Sequence, residues 1–308
     1  MTTWQLLVSA WDWEPSVLFG CAALLVAYIL AAGYRFSKAV LSFAAGVGVL
    51  LLALVSPIDT LGDTYLFSAH MLQHLLLVLI VPPLMLLGIP ARLVRELLGW
   101  PLVQRAERVL RQPLLAWSLG IGTVWLWHLP ALYNATLEHA GIHVFEHLCF
   151  LVTAAIFWWP VLAPIAEARL APLAAMLYLL AAAGASTILG IILTFVSPGL
   201  YPRYLQPVDR LGVLPLLRDV WGVSPAVDQQ AGGILMWVAG GLVYLGAIIA
   251  TLMIWYSAPD EEDVHHGDTE TRRKQRLEPT PDARRSPPTE LSVPPSLRVN
   301  PSSYQGKK

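Results

Sequence analysis

Charge is scarce in this chain. Asp, Glu, Lys and Arg make up 13% of its 308 residues, against roughly 25% in soluble domains, while 56% are hydrophobic and the mean hydropathy is +0.58. The scarcity is uneven. Met1 to Ala258 holds 11 basic and 12 acidic side chains, and residues 259–308 hold the other 9 and 9. This division predicts a membrane-embedded body over residues 1–258 and a charged cytoplasmic tail over 259–308, too poor in apolar residues to fold. The net charge is −1 and the basic residues form no dense patch, which excludes a nucleic-acid partner. Cysteine is nearly absent. Cys21 and Cys149 lie in apolar stretches with no CxxC spacing, so both read as small packing residues. There is no glycine-rich phosphate loop and no internal repeat. The first residues, MTTWQLLVSAWDWEPS, carry no Lys or Arg and predict no secretory signal. The only lysine ahead of the tail is Lys38, in a loop, so no span offers the amine of a retinal Schiff base.

What is abundant is long apolar sequence. A transmembrane helix needs roughly 20 such residues. Seven stretches reach or approach that length: Ser16–Tyr34, Ala39–Ser56, Thr64–Ile89, Pro113–Leu129, Ala140–Pro164, Leu170–Val196 and Gln230–Tyr256. The expected fold is therefore all-α, a polytopic membrane bundle of about seven transmembrane helices in contact with the lipid bilayer. Loops after odd-numbered spans hold 8 of the 11 bases, Arg35, Lys38, Arg92, Arg95, Arg105, Arg108, Arg111 and Arg169, whereas the loops with Asp59, Asp63 and Glu138 hold none and the longer loop before the last span is mixed, with Arg203, Arg210 and Arg218 against Asp209, Asp219 and Asp228. The positive-inside rule then places the N-terminus outside and the C-terminus in the cytoplasm. The third loop alternates arginines with Leu93, Val94, Leu97, Leu98, Val103 and Leu110, the pattern of an interfacial helix. Pro82, Pro83 and Pro160 fall inside spans and should kink them.

Histidine carries the functional signal. His70, His74, His128, His139, His143 and His147 lie in the spans or at their ends, and on this topology all fall toward the outer side. His70 and His74 are four residues apart, as are His143 and His147, so each pair shares one helix face. Two helices that each offer such a pair can surround one ion. Neutral imidazole suits copper, zinc, iron or nickel, and an ionisable residue within a membrane reads as functional by default. The expected ligands are His70, His74, His143 and His147, with His128 completing the set. Asp63, Glu146 and Asp228 are the carboxylates placed to orient them. His139 and His128, at helix ends, are the candidate bystanders. Asp59 reads equally as a helix-capping neighbour, because Ser56-Pro57-Ile58-Asp59 resembles an N-terminal cap. Met71, Cys149 and Met236 lie at the same depth and read as packing. His143-Val-Phe-Glu146-His147 also matches H-x-x-E-H, the inverted zinc-peptidase string, in which Glu activates a zinc-bound water. His265 and His266 in the tail read as a solvated pair.

Several blocks resemble one family. Ser68-Ala-His70-Met-Leu-Gln-His74, followed by Pro82-Pro83-Leu and Gly88-Ile-Pro90, is similar to the signature of the caa3-type CtaG family of cytochrome c oxidase assembly factors. Trp127-His128-Leu-Pro130-Ala-Leu-Tyr133 resembles the next block of that family. His143-Val-Phe-Glu146-His147, ending in Phe157-Trp158-Trp159-Pro160, resembles the one after it. Asp228-Gln229-Gln230-Ala-Gly232-Gly233-Ile-Leu-Met-Trp237 resembles the last. The resemblance implies a multi-pass bacterial plasma-membrane protein that is not an enzyme. It implies haem–copper oxidase subunits as partners and insertion of copper as the task. The alternatives are an intramembrane zinc metallopeptidase built on Glu146 and a metal-free scaffold. A bis-histidine haem carrier fits poorly, since adjacent i,i+4 rings would crowd a porphyrin.

Overall fold

Peptide groups in an apolar run find no water to bond, and the α-helix satisfies them locally. The computed structural model describes residues 2–33 and 37–257, and among these it contains helices and turns but no strand. The expectations for residues 259–308, for Arg35 and for His265 and His266 lie outside the described residues. In chain order the helices are α1 (Thr3–Ser9), α2 (Pro15–Ala32), α3 (Lys38–Val55), α4 (Pro57–Thr64) and α5 (Phe67–Gly88). Then come α6 (Ala91–Leu98), α7 (Pro101–Leu110), α8 (Pro113–Trp127), α9 (Pro130–Glu138) and α10 (Ala140–Leu162). The last are α11 (Pro172–Phe195) and α12 (Pro225–Tyr256).

Six of these, α2, α3, α5, α10, α11 and α12, are long and apolar enough to cross a bilayer. The fourth expected span differs. Its helix α8 has 15 residues, about 22 Å of rise against a hydrocarbon core of roughly 30 Å. His128 ends it and Leu129-Pro130 starts α9 at once. The interfacial segment is also divided: α6 and α7 are separate amphipathic helices, broken at Gly99-Trp100 before Pro101. With α10 they line an open apolar groove of about 390 Å³, bordered by Val94, Leu97, Leu110, Ile156 and Trp159.

The prolines act through the backbone bonds they remove. Pro82 has no N–H to give the carbonyl of Val78, four residues earlier. That carbonyl accepts instead from the Trp158 indole nitrogen at 3.0 Å. The turn just before it, Leu76–Ile80, widens to a π-helical turn, as helices often do at such points. Leu84 and Gly88 carbonyls likewise accept from Ser42 and Tyr28 hydroxyls, at 2.7 and 2.8 Å. Span three is thus tied to α2, α3 and α10 at the level of its backbone.

Close helix approach needs small residues in a membrane, where apolar burial gives little drive for association. Where α11 meets α12, Gly190 lies against Trp237 and Gly233 against Thr194. A Cβ on Gly233 would stand 2.5 Å from the Thr194 amide nitrogen, and one on Gly190 2.8 Å from the Trp237 amide nitrogen. The segment between these helices, residues 196–224, folds back over one end of the bundle. Tyr201 and Tyr204 are buried there, donating to the carbonyls of His128 and Gly62, each at 2.8 Å. Leu6 of α1 packs with Leu61, Tyr65, Val213 and Leu217 in the same layer.

Gly233→Ala should lower stability by about 1–3 kcal/mol, the cost of overpacking a tight contact. Gly184→Ala, on α11 with nothing within 4 Å, should leave it unchanged. Unfolding by SDS titration in mixed micelles reads both. Equal midpoints for the two variants would mean that the crossing is loose.

Candidate metal centre

The four expected ligands meet. His70 and His74 lie in the first two turns of α5, His143 and His147 in the first two turns of α10. Ring centroids are 4.2 Å apart within the first pair and 4.1 Å within the second. Across the helices, His70 lies 5.3 Å from His143 and His74 lies 5.9 Å from His147. The first ring of one pair faces the first of the other, and the second faces the second, so α5 and α10 run parallel here. Both begin at the covered end of the bundle.

Glu146 lies closer in than a purely orienting carboxylate. It is fully buried, with Oε1 3.7 Å from His74 Nε2. Asp63, at the end of α4, sits at the rim, with Oδ2 3.4 Å from His143 Nδ1. Three sets of side chains bring one ligand atom each within 4.8 Å of one another: Asp63 with His70 and His143, His70 with His74 and Glu146, and His143 with Glu146 and His147. Their donors are otherwise unused. Both nitrogens of His70 and of His74, Nε2 of His143 and of His147, both oxygens of Glu146 and Oδ1 of Asp63 have no hydrogen-bond partner among the described residues. Buried polar groups are paired almost without exception in proteins, and each unpaired one asks for a cause. Imidazole and carboxylate together are a donor set for a first-row transition metal.

The remaining candidates take other positions. His128 is buried, but its Nδ1 donates to the Val124 carbonyl at 2.7 Å and its Nε2 faces Met71 Sδ at 3.3 Å. It stands beside the cluster, 5.8 Å from His74 by ring centroids, and outside the three sets. Asp228 turns to the backbone: its carboxylate accepts from the amides of Phe67 and Ser68, at 2.7 and 3.0 Å, and from the Ser68 hydroxyl at 2.6 Å. It therefore caps α5 from α12 and positions the helix that carries His70 and His74, rather than any ring. His139 is exposed at the start of α10. Met236 and Cys149 pack in the surrounding core.

Sequence reasoning missed two features. Gln73 is fully buried, and its amide donates to the Ala53 carbonyl at 2.9 Å and to Asp59 Oδ1 at 2.6 Å, so Asp59 braces α5 while Ser56 caps α4. An uncharged polar residue in an apolar span was the available signal. Tyr133, Tyr201 and Tyr204 form an aromatic cover, with Tyr133 and Tyr201 ring centroids 3.9 Å apart and Tyr133 5.1 Å from His70. Below His74 a cavity of about 20 Å³, bordered by His128, Ser186 and Tyr244, has room for one water. At the rim, burial and then the Asp59 carboxylate push Asp63 up to about 8, with Arg203 acting the other way. Burial likewise raises Asp59 to about 6, against the Gln73 hydrogen bond.

A bundle of apolar helices with a buried histidine–carboxylate cluster at one end defines a multi-pass membrane protein built around a polar centre. The chain belongs to the cytochrome c oxidase caa3 assembly factor family, Caa3_CtaG, whose sequence pattern matches residues 23–258 and so contains every member of the cluster. It is a multi-pass membrane protein of bacteria. Curated relatives include an uncharacterized protein of Mycobacterium leprae (strain TN) and another of Mycobacterium bovis. Each is 24% identical over 268 residues, covering 79% of this chain and 39% of the relative. The chain thus spans about two fifths of the length of the curated relatives it matches. No solved structure matches it.

Asp228→Ala leaves two amides at the start of α5 without an acceptor. It should cost about 1–3 kcal/mol per orphaned donor in the metal-free protein, and Asp228→Asn, which keeps one acceptor oxygen, should cost less. The same SDS titration measures both, and equal loss in the two variants would show that the cap does not hold α5.

Proposed function

We propose that this protein supports assembly of a haem–copper oxidase by holding copper in the His70, His74, His143, His147 and Glu146 cluster and passing it to an oxidase subunit by ligand exchange. The observation that carries this reading is the set of buried imidazole and carboxylate donors with no hydrogen-bond partner among the described residues. A purely structural cluster would pair its members, because an orphaned buried donor is destabilising. Family membership supplies the process, assembly of the caa3 oxidase. Copper is the metal whose insertion that process requires and one that imidazole binds well.

The accompanying topology has seven crossings, with the N-terminus outside and the C-terminus in the cytoplasm of a bacterial plasma membrane. The parallel course of α5 and α10 supports it, since the chain must return between them. Helix α8 makes that return, starting beside the arginine-bearing α7 and ending at His128, next to His74. The arginines of α6 and α7 mark the cytoplasmic end, so the cluster faces outward. Asp63 and His143, at its rim, are where an ion enters and where a recipient subunit draws it out.

One observation favours a second reading. His143, Glu146 and His147 bring their ligand atoms within 4.8 Å of one another, as a zinc peptidase of the H-x-x-E-H type requires. There Glu146→Gln keeps full zinc and abolishes proteolysis. In a copper-handling protein the same change lowers the bound copper.

Copper measured by mass spectrometry on detergent-purified protein should be at least one ion per chain, and should fall to background in His74→Ala/His147→Ala. Membranes carrying that double variant should hold correctly inserted oxidase with severalfold less copper. Stoichiometric copper retained in the variant would overturn the ligand assignment. Wild-type protein that takes up no metal would turn the assignment to a scaffold.

A further inference from the structure

We infer that the cluster is a dinuclear centre, in which Glu146 bridges two metal ions, one held by His70 and His74 and the other by His143 and His147. This rests on the reading of the cluster as a metal site and adds its nuclearity.

The grouping of the donors points to two positions. The set His70, His74, Glu146 and the set His143, Glu146, His147 have one member in common, the glutamate. Each otherwise consists of an i,i+4 histidine pair from a single helix. The rings are also closer within a helix, 4.2 and 4.1 Å, than between helices, 5.3 and 5.9 Å. Four imidazoles converging on a single ion would not leave the pairs segregated by helix.

The unused lone pairs point the same way. A four-coordinate ion ligated by the four rings is complete, and it leaves both oxygens of Glu146 unpaired in a fully buried side chain. A bridge uses one oxygen on each ion, and each ion then has two nitrogens and one oxygen from the protein, with a position left open for exchange. The third set reuses His70 and His143 and adds Asp63. Asp63 Oδ2 already faces Nδ1 of His143, the side of the ring away from its unpaired Nε2. That is the place of a carboxylate that orients a ligating imidazole. Six side chains thus resolve into two ion positions, one bridge and one orienting group. Carboxylate-bridged pairs of ions, roughly 3.5–4 Å apart, are a recurrent use of facing helices in bundle cores.

The test uses the full chain in detergent, in a His265→Ala/His266→Ala background so that the tail histidines cannot contribute. The protein is loaded with excess Cu(II), desalted, and measured by mass spectrometry and electron paramagnetic resonance. The expected result is copper near two per chain with a half-field transition or a spin count below the copper count, both signs of coupled ions. The variants His70→Ala/His74→Ala and His143→Ala/His147→Ala should each keep about one copper per chain, with the spectrum of an isolated ion. Copper near one per chain, or two per chain with uncoupled spectra, would overturn the dinuclear centre and leave the copper-handling reading standing. Loss of all copper from both variants would do the same, since it identifies one shared ion. No copper in the unsubstituted cluster would overturn both.

Discussion

Desolvation of unpaired donors is the constraint on which the structure turns. Nine nitrogen and oxygen atoms of the cluster lie buried with no hydrogen-bond partner among the described residues. Each such atom left unpaired costs about 1–3 kcal/mol. Helix packing elsewhere must hold the rings together against that cost. The surroundings of the cluster answer to this need. Asp228 fixes the start of α5, Gln73 ties its second turn to Ala53 and Asp59, and the tyrosines keep water from the upper rings.

Much of this frame was legible in the sequence because membrane physics constrains it so tightly. All seven expected spans exist as helices, at nearly the expected bounds, since an apolar run of that length has few other structures, and six of them are long enough to cross a bilayer. The differences come where apolar content and helix content part company. Helix α12 begins at Pro225, not Gln230, because Ser224 and Pro225 start a helix regardless of the polarity of Asp228 and Gln229. Those two polar residues are buried against α5 and α11. The third loop has the pattern of one amphipathic segment, and Trp100-Pro101 divides it. Helix α8 is apolar throughout and stops at 15 residues because Leu129-Pro130 opens a new helix.

The site was legible to the extent that spacing encodes faces. Two i,i+4 pairs announce two helix faces, and the structure brings those faces together. Spacing does not encode how far a side chain reaches or which partner it finds. Glu146, adjacent to His147 in sequence, reaches within 4.8 Å of ligand atoms from both histidine pairs, a reach that spacing alone does not give. Asp228 and His128 share the level of the cluster but direct their polar atoms to backbone carbonyls and amides or to Met71. The aromatic cover comes from residues 196–224, a segment whose sequence has no helical or strand period, so only tertiary contact could reveal its place.

The uneven wetness of the cluster sets an order of access. His70 and Glu146 are fully enclosed and His74 nearly so, whereas the His143 side chain keeps 12% and Asp63 38% of its surface open. The wettest edge of the cluster therefore lies between the end of α4 and the start of α10. On the reading proposed above, residence time and loading would then belong to different residues: the rim would govern how quickly the cluster communicates with its surroundings, and the α5 histidines how long it remembers what it received.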